Sequence, residues 1–169
     1  YCKKIFETNV ICKNQHYVCD GCHSLPAYLA IETFCLMNML KDPLEIAILL
    51  MQHPSIKMHG PEHHFLVAAS LLTAYYNTIN EPSKKSVILT EAQKRAKNIL
   101  GGFCGYYGNC GAAVGTGIFL SLITQATPLS KKEWELCNLM TSNSLFSIAH
   151  AGGPRCCKRN TYLAVIEAA

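Results

Sequence analysis

"PEHHFLVAASLLTAYYNTI" (residues 61–79) decides how this chain folds. Pro61 suits the start of a helix, where its missing N–H leaves no bond unmade. Behind it, apolar residues stand nearly all round the helical wheel. A helix that is apolar on every face needs neighbours on every side, so it belongs at the centre of an all-helical domain.

Working outward, the flanking segments read as further helices. Ser24 caps one that runs through "LPAYLAIETFCLMNMLK" to about Lys41, with Pro26 in its first turn. Asp42 and Pro43 are N-cap and first position of "PLEIAILLMQ", which stops ahead of Pro54. Ser83 opens a basic helix that Gly101 and Gly102 end. Asn109 reads as the cap of "CGAAVGTGIFLSLITQA", whose small residues permit close packing. Ser130 with Glu133 makes a capping box before "EWELCNLMTSNSLFSIAH", which Gly152, Gly153 and Pro154 terminate. A last helix spans about Cys156 to Ala168, and short hairpin pieces fit only near residues 9–12 and 17–19. The expected architecture is all-α: a six- to seven-helix bundle over residues 24–169, preceded by a small Cys-rich zinc knuckle in residues 1–23.

A chain of 169 residues suits one domain with its own core, or a domain plus a small appendage. Half the residues are hydrophobic and 15% are charged, which excludes a disordered chain. The longest apolar run, "CGAAVGTGIFLSLI" (residues 110–123), is too short and too glycine-rich to span a bilayer. "YCKKIFETNV" has no apolar secretory core, so a cytoplasmic location is expected, and an opening on Tyr1 rather than Met reads as a start inside a longer protein. The net charge of +4 is modest and gathers in residues 83–97 and at Arg155, Lys158 and Arg159.

Ten cysteines in so small a chain need a purpose. Disulfides would answer in a secreted protein, but a sizeable core and a Cys-x-x-Cys favour metal or redox use in a reducing compartment. Cys2, Cys12, Cys19 and Cys22, with His16 and His23 as alternates, offer a tetrahedral zinc site. Cys19 and Cys22 are its core, with Asp20 and Gly21 as the tight turn that aims both sulfurs inward. Such a closed site is structural; the alternative is a pair of free surface thiols.

Three further segments carry the rarer chemistry. "KMHGPEHH" holds His59, Glu62, His63 and His64. His59 falls just before the central helix and His63 in its first turn, where the helix dipole favours neutral, ligating imidazole. Glu62 can orient a histidine or act as a base. The order of residues rules out the His-Glu-x-x-His protease motif. "GGFCGYYGNCGAAVG" places Cys104 and Cys110 among glycines that let the backbone approach a guest closely. Cys110 falls at a helix start, which lowers a thiol's pKa. "GGPRCCKR" puts Cys156 and Cys157 at another, with Arg155, Lys158 and Arg159 adding positive potential that favours thiolate. Adjacent helical side chains diverge by about 100°, so only one of Cys156 and Cys157 faces a given site. Cys35 and Cys137, mid-helix, read as core filler, and His53 and His150 as ordinary surface or core residues. The candidate catalytic residues are therefore Cys110, Cys156 and Glu62. The candidate cofactor-binding residues are Cys104, Cys110, Cys156, Cys157, His59 and His63.

"MHGPEHHFLVAASLLTAYYN", "GGFCGYYGNCGAAVGTGI", "TPLSKKEW" and "GGPRCCKRNTYLA", after "HYVCDGCH", resemble an uncharacterised family often seen in anaerobes. The resemblance implies an appendage to a methyltransferase-like or radical-enzyme domain and covers nearly the whole chain. "GNCGAAVG" (residues 108–115) is also similar to the glycine-flanked cysteine helix of a redox-active GCAxxG-type family.

Two functions compete at this stage. One is a metal- or iron–sulfur-binding thiol site built on Cys104, Cys110, and Cys156 or Cys157 with His59 or His63, serving redox, sulfur-transfer or one-carbon chemistry; a metal-free redox dithiol is its variant. The other is a non-catalytic zinc module that recruits nucleic acid or a partner enzyme domain through the basic segments. No dinucleotide fingerprint, phosphate loop or nucleophile elbow is present, so a stand-alone methyltransferase or hydrolase is not expected.

Overall fold

The fold is taken from a computed structural model that describes Ile5, Cys19 and the backbone from residue 20 to 169, with side chains from residue 24. Cys2, Cys12 and His16, and the side chains of Cys22 and His23, lie outside the described residues, as do the hairpin pieces expected before Cys19. Among the described residues the chain is all-helical: α1 (Asp20–Met37), α2 (Pro43–Gln52), α3 (Glu62–Thr78), α4 (Lys85–Lys97), α5 (Phe103–Tyr106), α6 (Gly111–Thr124), α7 (Lys132–His150) and α8 (Cys157–Ala168). No helix among them is long and apolar enough to cross a membrane.

The central position of α3 follows from its sequence. It packs against α1, α2, α4, α6 and α8, and Phe65, Leu66, Val67, Ala68, Ala69 and Leu72 are wholly buried along it. Close approach of α6 depends on glycine. A Cβ on Gly115 would stand 2.9 Å from the His64 carbonyl oxygen, and one on Gly117, across the helix, would run into Thr141 of α7. Thr116 and Ser144 join the buried α6–α7 seam through a 3.0 Å hydroxyl contact.

Several local expectations are corrected. α1 begins at Asp20 rather than after Ser24, so Asp20 and Gly21 lie in a helical first turn and not in a tight loop between Cys19 and Cys22. It ends at Met37 rather than near Lys41, because Lys85, almost fully buried, donates its ammonium to the Cys35 (2.9 Å) and Asn38 (2.6 Å) carbonyls there. Asn77 Nδ2 donates to the Asn38 and Leu40 carbonyls beside it. A 3₁₀ turn, Pro82–Lys84, precedes α4, and α4 stops at Lys97, ahead of Gly101. Gly102 instead, at φ +83°, turns the chain into the four-residue α5, which raises the helix count above the six or seven expected. The capping box of Ser130 and Glu133 does not form: the Ser130 hydroxyl accepts from the Thr127 amide, and Lys131 takes the N-cap place. At Asp42 the expectation holds, its carboxylate accepting from the Leu44 and Glu45 amides.

Candidate functional site

The N-termini of α3, α6 and α8 open on one cavity of about 270 Å³. From α3 come Pro61, His63 and His64; from α6, Cys110 with Gly111 and Ala112; from α8, Cys157, preceded by Arg155. Cys104, carried by α5, and His59, on the loop before α3, complete the reactive groups of the wall. Each long helix presents unpaired N–H groups and the positive end of its dipole at its N-terminus. No carboxylate lines the cavity, and Arg155 makes no ion pair among the described residues. The cavity is therefore electropositive by construction. Cys104, Cys110 and Arg155 also wall a second, more open cavity of about 360 Å³ against α7.

Of the residues singled out in the sequence, Cys104, Cys110, Cys157, His59 and His63 share this cavity; Cys156 and Glu62 do not. Cys110 is the N-cap of α6, one place earlier than the helix start expected for it, and Asn160 Nδ2 donates to its Sγ at 3.4 Å. Cys157 is the first residue of α8. Cys156, its N-cap, turns away: its Sγ accepts from the Arg159 amide at 3.5 Å and lies 3.8 Å from Met58 Sδ. The two adjacent cysteines thus diverge, one into the cavity and one onto the helix cap.

The thiolate expected at Cys157 is not favoured. Burial pushes its thiol up, against the pull of the Gly60 amide and the Arg155 guanidinium, and the Cys110 and Cys104 thiols push the same way as burial. The other two cations of the segment are occupied elsewhere. Lys158 donates to the Met51 carbonyl at 2.6 Å, and Arg159 ties together the Ala151, Gly152 and Pro154 carbonyls. Lys158 ties α8 to α2 and Arg159 holds the α7–α8 turn, rather than charging the site.

Glu62 is wholly buried behind the wall. Its Oε1 accepts from the Lys57 amide at 3.1 Å, its Oε2 has no partner, and its carboxylate occupies the space a side chain at Gly60 would need. It shapes the loop that carries His59. His63 has both ring nitrogens engaged, one 2.8 Å from Thr161 Oγ1 and the other 2.8 Å from the Lys57 carbonyl. The carbonyl can only accept, so Nε2 carries the proton and Nδ1 accepts from the threonine hydroxyl. Burial holds the ring below the usual histidine range, partly offset by the Lys57 carbonyl and Glu62.

His64 is the histidine that sequence reasoning passes over. It is only 9% exposed and lines the cavity, and its Nδ1 is buried without a hydrogen-bond partner. Its ring lies over Gly111, where a Cβ would overlap it. Burial lowers its pKa to about 4, opposed by the Ile99 carbonyl and reinforced by His63 and Arg155, so it is neutral at neutral pH. Neighbouring residues on a helix differ by about 100° in direction, and nothing in the local sequence says which of two adjacent histidines keeps a ring nitrogen without a hydrogen bond. The one available signal is the pair Gly111 and Gly115, four apart on α6, marking the face that α3 approaches.

Cys35 is wholly buried in the core, its thiol pushed up to about 12 by burial, while Cys137 is half-buried on α7. His53 and His150 are exposed and bond within their own segments. Among the described residues no group of three or more His, Cys, Asp or Glu side chains stands close enough to hold a metal ion. Comparison with curated proteins and with solved structures finds no match. A family model does match, over residues 31–169, from the later part of α1 through α8. The chain therefore belongs to DUF5714, a family of unknown function.

Proposed function

We propose that the cavity is a three-thiol site for a soft metal centre, and that the centre is an iron–sulfur cluster held by Cys104, Cys110 and Cys157 rather than a single ion. The observation that carries this reading is the convergence of three cysteines from three separate segments on one cavity into which three helix N-termini point. Thiolate is the ligand that clusters take, and three thiolates around a metal centre bring negative charge. The dipoles of α3, α6 and α8 and the unpaired Arg155 offset that charge, and no carboxylate competes with it. A single ion needs its donors within one coordination sphere, and among the described residues no three donors meet that condition. A cluster spreads its metal atoms and so accepts thiols further apart. Three thiol ligands account for three metal positions and leave the fourth to another donor of the cavity wall or to a substrate, and redox, sulfur-transfer or one-carbon chemistry is the class of reaction such a centre serves.

The raised pKa of Cys157 motivates a second reading, a metal-free redox site of neutral thiols. Grounds for a nucleic-acid module are thinner: Lys158 and Arg159 donate to backbone carbonyls, and Lys94 and Arg95 pair with Glu91. Isolation without oxygen separates the first two readings. Iron and acid-labile sulfide are expected, with visible charge-transfer absorption lost in Cys104→Ala, Cys110→Ala and Cys157→Ala and kept in Cys137→Ala. Colourless wild-type protein that takes up no iron and sulfide on reconstitution refutes the cluster, as does a cluster indifferent to Cys110→Ala. Zinc on Cys2, Cys12, Cys19 and Cys22 is a separate proposal, expected to survive all four substitutions. Recruitment of a methyltransferase-like or radical-enzyme domain is likewise carried only by the motif resemblance.

A further inference from the structure

We propose that His64, rather than His63 or His59, supplies an imidazole nitrogen to the metal centre, making the donor set three sulfurs and one nitrogen. The inference rests on the thiol-centre reading above and adds the fourth donor to it.

The neighbouring histidines make the contrast. His63 has a purpose already, since both its nitrogens are bonded and it ties α3 to α8 and to the preceding loop. Ligation by His63 would break one of those bonds and strand a buried partner. His59 is exposed, so it has to be ordered from solvent before it can bind. His64 carries less of either: the Ile99 carbonyl acts on its ring, but its Nδ1 is left without a hydrogen bond. It is nine-tenths buried on the cavity wall, its ring is fixed against Gly111, and its Nδ1 has no partner. A buried ring nitrogen without a hydrogen bond costs free energy and needs an explanation, and a ligand supplies one.

The slot is built for the ring. Any side chain at residue 111 would displace it, and Gly115 lets α6 come close enough to α3 for the ring to lie over the α6 N-terminus beside Cys110. Ligation also balances without further reagents. Neutral imidazole donates a lone pair and releases no proton, whereas each of the three thiols gives up one proton to solvent as it binds. A nitrogen donor in place of a fourth sulfur makes the centre less negative, which raises its reduction potential relative to an all-thiolate site.

Reconstituted protein, reduced and studied by pulsed electron paramagnetic resonance, tests this. A strongly coupled imidazole nitrogen is expected in wild type, altered by histidine-selective ¹⁵N labelling, retained in His59→Gln and lost in His64→Gln. In His64→Cys the centre is expected to be retained, with a lower reduction potential. The labelling uses unaltered protein, so it stands even where a substituted chain folds poorly. A cluster that loads in wild type without nitrogen coupling overturns the His64 assignment and leaves the three-thiol centre intact. Coupling that survives His64→Gln or vanishes in His59→Gln also overturns it. Failure of wild type to bind any cluster refutes the three-thiol centre, and this assignment with it.

Discussion

Acidification should weaken the fold through His64 specifically. In the unfolded chain its imidazole takes up a proton near 6.5, but in the folded protein only near 4. Between those values the unfolded state binds more protons, so stability is full above about pH 6.5 and falls as the pH falls through the window. The whole window of 6.5 to about 4 corresponds to about 3 kcal/mol, and the loss by about pH 5 to about 2 kcal/mol. His63 is shifted in the same direction and adds to the loss. With a urea m-value of about 2 kcal/mol per molar, the midpoint of unfolding should drop by about 1 M between about pH 7.5 and pH 5. His64→Gln removes the titrating group, so the same pH step should cost that variant distinctly less, the remainder belonging to His63. Urea titrations of metal-free protein at the two pH values, followed by circular dichroism, give the comparison. An equal loss in wild type and variant would refute the argument, because it would place the protonation elsewhere.

Two further outcomes follow from packing. Gly111→Ala drives a methyl group into the His64 ring and should cost about 2 kcal/mol, with reduced acid sensitivity because the displaced ring gains solvent. Unchanged stability there would mean that the ring has room the fold does not allow it. Lys85→Met leaves the Cys35 and Asn38 carbonyls at the end of α1 without their ammonium donor and should cost about 2–3 kcal/mol in urea unfolding. A variant as stable as wild type would show that the α1 terminus is satisfied without Lys85.

The sequence by itself determined the helical class, the central place of α3 and the cysteine-bearing segments. These depend on local periodicity and on where glycine and proline interrupt it: Pro43 and Asp42 start α2, and the glycines after Ala151 end α7. Membership of an uncharacterised family was also expected from the sequence, and the family match bears that out. Element ends were less legible wherever a distant group decides them. α1 stops where Lys85, 50 residues away from Cys35, meets its last carbonyls, and no local pattern encodes that contact.

Only the tertiary structure decided which side chains of those segments meet. Cys156 and Cys157 are adjacent in sequence, as are His63 and His64; of the cysteines only Cys157 lines the cavity, and of the two histidines, which both line it, only His63 has both ring nitrogens hydrogen-bonded to the surrounding fold. The choice within each pair is set by the rotation of α8 and α3 about their own axes. That rotation is fixed by packing against α6 and by the space its glycines leave, not by the residues of the pair. Burial then sets the charge states, keeping His64 neutral, and keeping Cys157 protonated although Arg155 beside it in sequence favours the thiolate.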